Sequence, residues 1–124
     1  PGVPLALSFA NKNFSLLDSN GKKTAFLLEA KRVLALKNMS VINSRVEAYR
    51  SEAGFDIITC RAFSSMNEIV TSTKHLLAAK GRWLLMRGAV SNKELSGLNN
   101  YDVEVVPLKV PFLDASRHCI SIRA

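Results

Sequence analysis

Two cysteines and two histidines in 124 residues leave little material for metal binding or a disulfide framework. Cys60 and Cys119 stand far apart in apolar, strand-like surroundings, without C-x-x-C spacing, and neither His75 nor His118 pairs with them in sequence. Both thiols read as reduced core residues of a cytoplasmic protein, and no metal site is expected. No apolar run approaches the roughly 20 residues of a membrane span, so no membrane partner is expected. Pro1-Gly2-Val3-Pro4 carries neither the basic n-region nor the cleavage site of a secretory leader. Internal repeats and low-complexity tracts are absent too. The glycines are few and scattered, and no glycine-rich phosphate-binding turn can be built from them.

What is present is an ordinary globular composition with a basic excess. Hydrophobic residues make up 48% of the chain and charged residues 22%, enough for one domain, 1–124, with a real core. Seventeen basic against 10 acidic residues give a net charge of +7. That excess points to a polyanionic partner, most often nucleic acid. It is spread over short clusters, Lys22-Lys23, Lys31-Arg32 and Arg45 to Arg50, rather than held in one tail.

Hydrophobic periodicity alternates strands with helices. Phe14–Leu17 reads as a strand, and Gly21–Leu36 as a helix with Phe26, Ala30, Val33 and Leu34 on one face. Met39–Asn43 and Phe55–Cys60 follow as strands, the second apolar enough to be covered on both faces. Ser65–Ala79 reads as a helix with Ile69, Val70, Leu76 and Leu77 inward, broken by Gly81 before a strand at Trp83–Met86. After a short helix at Asn92–Leu98, the runs Tyr101–Leu108 and His118–Ile122 predict an antiparallel hairpin on a sheet edge. The expected fold class is α/β: a doubly wound, mostly parallel sheet closed by a hairpin. Such a sheet normally opens with a strand and a glycine-rich turn. Residues 1–7 look like the end of that turn and the helix after it, so the first strand and glycine-rich loop are absent from this sequence.

Polar residues fall where strands end, the place where open α/β sheets bind ligands. Leu16-Leu17-Asp18-Ser19 sets a carboxylate at a strand's carboxyl end, where it can accept from both hydroxyls of an adenosine ribose. Asp18, Ser19 and Asn20 before a helix can equally be an N-terminal cap. After the next strand, Ser44-Arg45-Val46-Glu47 offers an amide for an adenine ring nitrogen and an acid for its exocyclic amine. Glu47 can otherwise belong to a helical turn with Arg50. Cys60-Arg61-Ala62-Phe63 and Arg87-Gly88 bring guanidinium groups to two further strand ends, and Arg61 can otherwise pair with a surface acid. Lys22 and Lys23 sit at a helix start, against its dipole, which suits either an external polyanion or a simple exposed pair.

Taken in order, Pro1-Gly2-Val3-Pro4-Leu5-Ala6, Leu16 through Lys23, Ser44-Arg45-Val46-Glu47, Cys60-Arg61-Ala62-Phe63 and Val110-Pro111-Phe112-Leu113-Asp114 through Arg117-His118 resemble the family of RsmG, the bacterial 16S ribosomal RNA guanine-N7 methyltransferases also called glucose-inhibited division protein B. The likeness covers essentially the whole chain. It implies a class I, Rossmann-like methyltransferase fold and S-adenosyl-L-methionine as cofactor. It further implies that Val46 and Glu47 hold the adenine, that Asp18, Ser19 and Asn20 line the ribose, and that Arg61 belongs to the cofactor pocket. The implied partner is 16S ribosomal RNA or a small-subunit assembly particle, met by Lys22, Lys23, Arg61 and Arg87, with the full-length protein a monomer. Arg87 departs from the family, which often has lysine before the glycine, and Ala48 and Cys60 are lesser departures.

Guanine N7 carries an available lone pair, so methylating it requires no general base, and no catalytic residue is assigned. Two other readings compete: a dinucleotide-binding oxidoreductase, whose G-x-G-x-x-G loop would stand about 20 residues upstream of Asp18, and a non-catalytic RNA-binding fragment. Without the first strand, its two neighbours are expected to expose unpaired backbone edges.

Overall fold

Short β-branched and apolar runs punctuated by capped helices give the chain its elements. A computed structural model describes residues 1–61 and 64–124; Ala62 and Phe63, part of the Cys60–Phe63 motif, lie outside the described residues. Two units result, Pro1–Tyr49 and Arg50–Ala124.

The first unit holds helix α1 (Gly2–Ser8), strand β1 (Phe14–Asp18), helix α2 (Gly21–Val33) and strand β2 (Met39–Asn43). β1 and β2 pair in parallel, from Phe14 against Met39 to Asp18 against Asn43. Ala6, Leu36 and Met39 form the core, with Val3, Phe14, Leu16 and Val41 packed on it. Gly2 lets α1 lie against β1, since a Cβ there would come within 2.5 Å of the Leu16 side chain. The Asn38 amide nitrogen donates to the carbonyls of Ala6, Phe9 and Lys12, tying the exit of α1 to the entrance of β2.

Helix α2 departs from its sequence reading twice. It ends at Val33, short of Leu36, because Ala35 turns into the left-handed region at φ 50°. Ala35 N–H then donates to the Arg32 carbonyl and Leu36 N–H to that of Lys31, closing the helix as a Schellman motif. The expected stop signal is glycine, and alanine hides it. The buried face is also different: Thr24 is buried and Leu27 half-buried, whereas Phe26 is 71% exposed and Val33 and Leu34 are exposed with it.

In the second unit, strand β3 (Phe55–Arg61), helix α3 (Met66–Thr73), a 3-10 turn (Lys74–Leu76), strand β4 (Leu77–Arg87), helix α4 (Asn92–Ser96) and strands β5 (Asp102–Leu108) and β6 (Arg117–Arg123) build a sheet in the order β3-β4-β6-β5. β3 and β4 are parallel, and β6 runs antiparallel to both β4 and β5. The core joins Met66, Ile69 and Val70 of α3 to Trp83, Leu85, Leu98, Ile120 and Ile122. Trp83 is wholly buried; its indole N–H donates to Thr73 Oγ1 at 2.8 Å, and the Thr73 hydroxyl donates to the Ile69 carbonyl at 2.6 Å. The Tyr101 ring stands edge-on to the indole, 5.9 Å between centroids.

The helix expected to reach Ala79 stops at Thr73, and β4 begins at Leu77 rather than Trp83. Leu76 and Leu77 do sit at helical spacing, but they serve the 3-10 turn and the strand. Gly81 lies inside β4, where a Cβ would approach the Phe55 carbonyl to 2.8 Å, next to a register shift between Phe55 and Ile57. β3 is also less covered than its composition suggests, with Ile57 exposed. Among the described residues β1 pairs only with β2 and β3 only with β4, so each has one unpaired edge. The strands thus stand as a two-stranded and a four-stranded sheet instead of one continuous sheet. No helix is long and apolar enough to cross a membrane among the described residues.

Candidate functional site

The carboxyl ends of β1 and β2 bring five of the expected residues to one edge of the first unit. Asp18 faces Asn43 in register, and the Asp18 carbonyl accepts from the Ser44 N–H at 3.1 Å, so the turn after β2 hangs directly on the end of β1. That turn is held by the Ala48 and Tyr49 amides, which both donate to the Arg45 carbonyl, and by the Ser44 hydroxyl donating to the same oxygen. The Val46 amide lies outside these bonds. Val46 is half-buried and Glu47 exposed.

The capping question is decided by Asn20. Its side-chain oxygen accepts from the Lys22 and Lys23 amides at 2.9 and 3.3 Å, making it the N-cap of α2. Asp18 instead accepts from the Asn20 N–H through Oδ1, at 2.8 Å, in an Asx-turn. One carboxylate oxygen is thereby fixed and the half-buried side chain oriented, while Oδ2 takes no part in that bond. Ser19 is exposed between them. Lys22 and Lys23 are exposed on the first turn of α2 and, with Phe26 and Leu27, line an open hollow of about 370 Å³.

Arg61 and Arg87 belong to the second unit, at the carboxyl ends of its parallel strands, with Arg61 opposite Met86. Arg61 is exposed. The Arg87 guanidinium is mostly covered: Nη2 donates to the Ser64 carbonyl at 3.0 Å and lies 3.7 Å from Glu94, and its buried Nε has no hydrogen-bond partner. Glu94 is held below the usual carboxylate range by the Ser91 amide first, with the Ser91 hydroxyl and the Arg87 charge adding to it. Ser91 and Glu94 form a reciprocal capping box on α4, which the S-x-x-E spacing announces. Nothing local in the sequence announces that Glu94 also faces Arg87. Burial pushes the Cys60 thiol up, partly offset by the Arg87 charge. His118 Nδ1 lies 2.6 Å from the Gly88 carbonyl, fastening the start of β6 to the end of β4.

Asn43, opposite Asp18 in register, is not among the residues the sequence singles out. A Cβ at Gly21 would make only ordinary contact with the Asn43 amide nitrogen, at 3.7 Å, so the start of α2 stands beside the end of β2. The D-S-N-G order was the available signal, with glycine directly after the cap. Among the described residues no group of three or more His, Cys, Asp or Glu side chains could hold a metal ion.

Comparison with known proteins covers nearly the whole chain. A family model described as GidB, rRNA small subunit methyltransferase G, matches residues 1–120. The ribosomal RNA small subunit methyltransferase G of Coxiella burnetii (strain RSA 331) is 45% identical over 99% of this chain and 60% of its own length. The Pseudomonas aeruginosa (strain LESB58) protein of the same name is 47% identical, over 99% and 58%. Among solved structures, M. jannaschii TYW2 in complex with AdoMet superposes with a TM-score of 0.73 at 16% identity, covering 97% of this chain and 61% of that one. A SAM dependent methyltransferase from Aquifex aeolicus gives 0.70 at 13%, over 98% and 77%. The chain spans about 60% of the length of the curated relatives it matches.

Proposed function

Since the chain belongs to the GidB family, rRNA small subunit methyltransferase G, we propose that it is the greater part of an enzyme that methylates N7 of a guanine in 16S ribosomal RNA, using S-adenosyl-L-methionine. Its fold is that of the class I methyltransferases. The observation that supports the reading is that the turn carrying Val46 and Glu47 hangs on the end of β1, its Ser44 N–H donating to the Asp18 carbonyl, with the Val46 amide outside the turn's own bonds. This donor and acceptor set fits an adenosine. Asp18, its orientation set by the Asn20 amide, accepts from the ribose hydroxyls, with Ser19 and Asn20 lining that side. The Val46 amide donates to an adenine ring nitrogen, and Glu47 accepts from the exocyclic amine. Arg61, exposed at the end of β3 in the second unit, is assigned to RNA.

When bound, the sulfonium of this cofactor supplies an electrophilic methyl group. The guanine N7 lone pair is available at neutral pH, so the protein's residues have no proton to remove. Their contribution is to bind and align both reactants, which can lower a barrier by several kcal/mol without acid–base help. Lys22, Lys23 and Arg61 are exposed cations suited to RNA phosphates. Arg87 adds charge, although its Nη2 is committed to Ser64. On this reading residues 1–124 belong to a single methyltransferase domain of a monomeric cytoplasmic protein acting on 16S RNA or a small-subunit assembly particle.

The test is transfer of a labelled methyl group from S-adenosyl-L-methionine to unmethylated small-subunit RNA by the full-length protein. Label at N7 of a guanine is expected. Label on protein, or at another base position, overturns the reading.

A further inference from the structure

The β5–β6 connection carries a feature that cofactor binding does not use. Leu113 N–H donates to the Val110 carbonyl at 3.2 Å, closing a four-residue turn with Pro111 second and Phe112 third. Phe112 has φ 64°, the left-handed position that a type II turn normally gives to glycine or asparagine. A bulky aromatic there is a rare conformer that costs free energy. No packing repays it: Phe112 is fully exposed, at 110% of the reference area, with Val110 and Leu113 exposed on either side. An unfavourable backbone, an uncovered ring and no internal contact together point to an external one.

Topology determines what surrounds the ring. β3 and β4 are parallel and end at Arg61 and Arg87. β6 starts opposite the end of β4, His118 against Arg87, and β5 ends opposite the start of β6, Leu108 against Arg117. Residues 109–116 therefore rise from the same end of the sheet as Arg61 and Arg87. Lys109 and Arg117 flank the turn and are exposed. His118 Nδ1, 2.6 Å from the Gly88 carbonyl, anchors the base of the connection to the end of β4, and Arg117 Nη1 donates to the Ser116 carbonyl at 2.8 Å, leaving the rest of its exposed guanidinium for a ligand. Of the acids at this end, Glu94 faces Arg87 and Glu68 accepts from the Ser65 amide, while Asp114 lies in the connection itself.

We propose that Val110–Leu113 is a base-stacking tip: Phe112 lies on an unpaired base of the RNA substrate while Lys109, Arg117 and Arg61 hold the neighbouring phosphates. An exposed aromatic beside cations is how proteins grip single-stranded nucleic acid, because every base has a face to stack on. This rests on the reading of the chain as part of an RNA methyltransferase and adds to it the residue that seats the substrate.

Phe112→Gly and Phe112→Trp in the full-length protein test it with unmethylated small-subunit RNA. Glycine suits the turn, so the melting temperature of Phe112→Gly should be unchanged or higher. Its KM for RNA should rise about tenfold, within the range of one base–aromatic stack, with kcat and S-adenosyl-L-methionine affinity little changed. Phe112→Trp should keep the wild-type KM. An unchanged KM in Phe112→Gly, with wild-type protein methylating RNA, overturns the tip alone. The tip also falls if Phe112→Gly abolishes self-association or vesicle binding while RNA kinetics stay the same. Wild-type protein that transfers no methyl group to RNA overturns the functional reading itself.

Discussion

Asn20→Ala and Asp18→Asn should separate helix capping, done by Asn20, from the cofactor binding proposed for Asp18. The Asn20 side chain takes two amides of the first turn of α2, at 2.9 and 3.3 Å. Removing it should cost about 1 kcal/mol of stability, the usual loss for a cap residue. Asp18→Asn keeps an oxygen where Oδ1 now accepts the Asn20 N–H at 2.8 Å, so little stability should be lost. What that change removes is the charge that the proposed reading offers to two ribose hydroxyls. Hydrogen bonds to a charged acceptor contribute about 1.5–3 kcal/mol each. Allowing for partial compensation by the amide, affinity for S-adenosyl-L-methionine should fall by about 1–3 kcal/mol, roughly 5- to 150-fold in Kd. Urea melts and titration calorimetry on the full-length protein read the two quantities separately. The reasoning fails if Asp18→Asn melts early but binds normally, or if Asn20→Ala proves the more damaging to binding.

Further predictions concern the second unit. Thr73→Val should cost about 1–3 kcal/mol in urea melts, because the buried Trp83 indole N–H loses its acceptor; an unchanged midpoint would mean the indole finds another partner. Burial raises the Cys60 thiol above its ordinary value of 9.0. The folded value being the higher, its stabilising contribution is complete below 9.0 and disappears as pH rises through the folded value. Between 9.0 and the folded value, stability should therefore decline less steeply in Cys60→Ala than in the wild type, and equal slopes across that window would contradict the assignment.

The sequence carried the fold where local signals and the final pairing agree. Phe14–Leu17 and Met39–Asn43 are short, apolar and bounded by polar residues, and they became β1 and β2 nearly as read. The terminal hairpin was legible from alternation and proline positions, Pro107 falling on the edge strand β5. Readings failed where one residue did an unfamiliar job. Ala35 closes α2 in a conformation usually marked by glycine. Leu76 and Leu77 match a helical spacing but serve a turn and a strand. The α2 face was misjudged because Phe26 and Val33 are apolar yet exposed, so hydrophobicity pointed the wrong way.

For the site, strand-end position was the informative signal, and it located Asp18, Val46 and Glu47 on one edge of the first unit. Local sequence could not choose the cap, since Asp, Ser and Asn all favour that place. Only the hydrogen bonds distinguish Asn20 as cap from Asp18 as oriented carboxylate. The fixing of Arg87 by Ser64 and Glu94, like the Thr73–Trp83 bond, joins residues from separate elements and leaves no trace in periodicity.

The most direct measurement of the central claim is a structure of the full-length protein with S-adenosylhomocysteine bound. The account predicts the ribose hydroxyls within hydrogen-bond distance of the Asp18 carboxylate and the adenine against Val46 and Glu47. A nucleoside seated elsewhere, with Asp18 and Glu47 both turned to solvent, would contradict it.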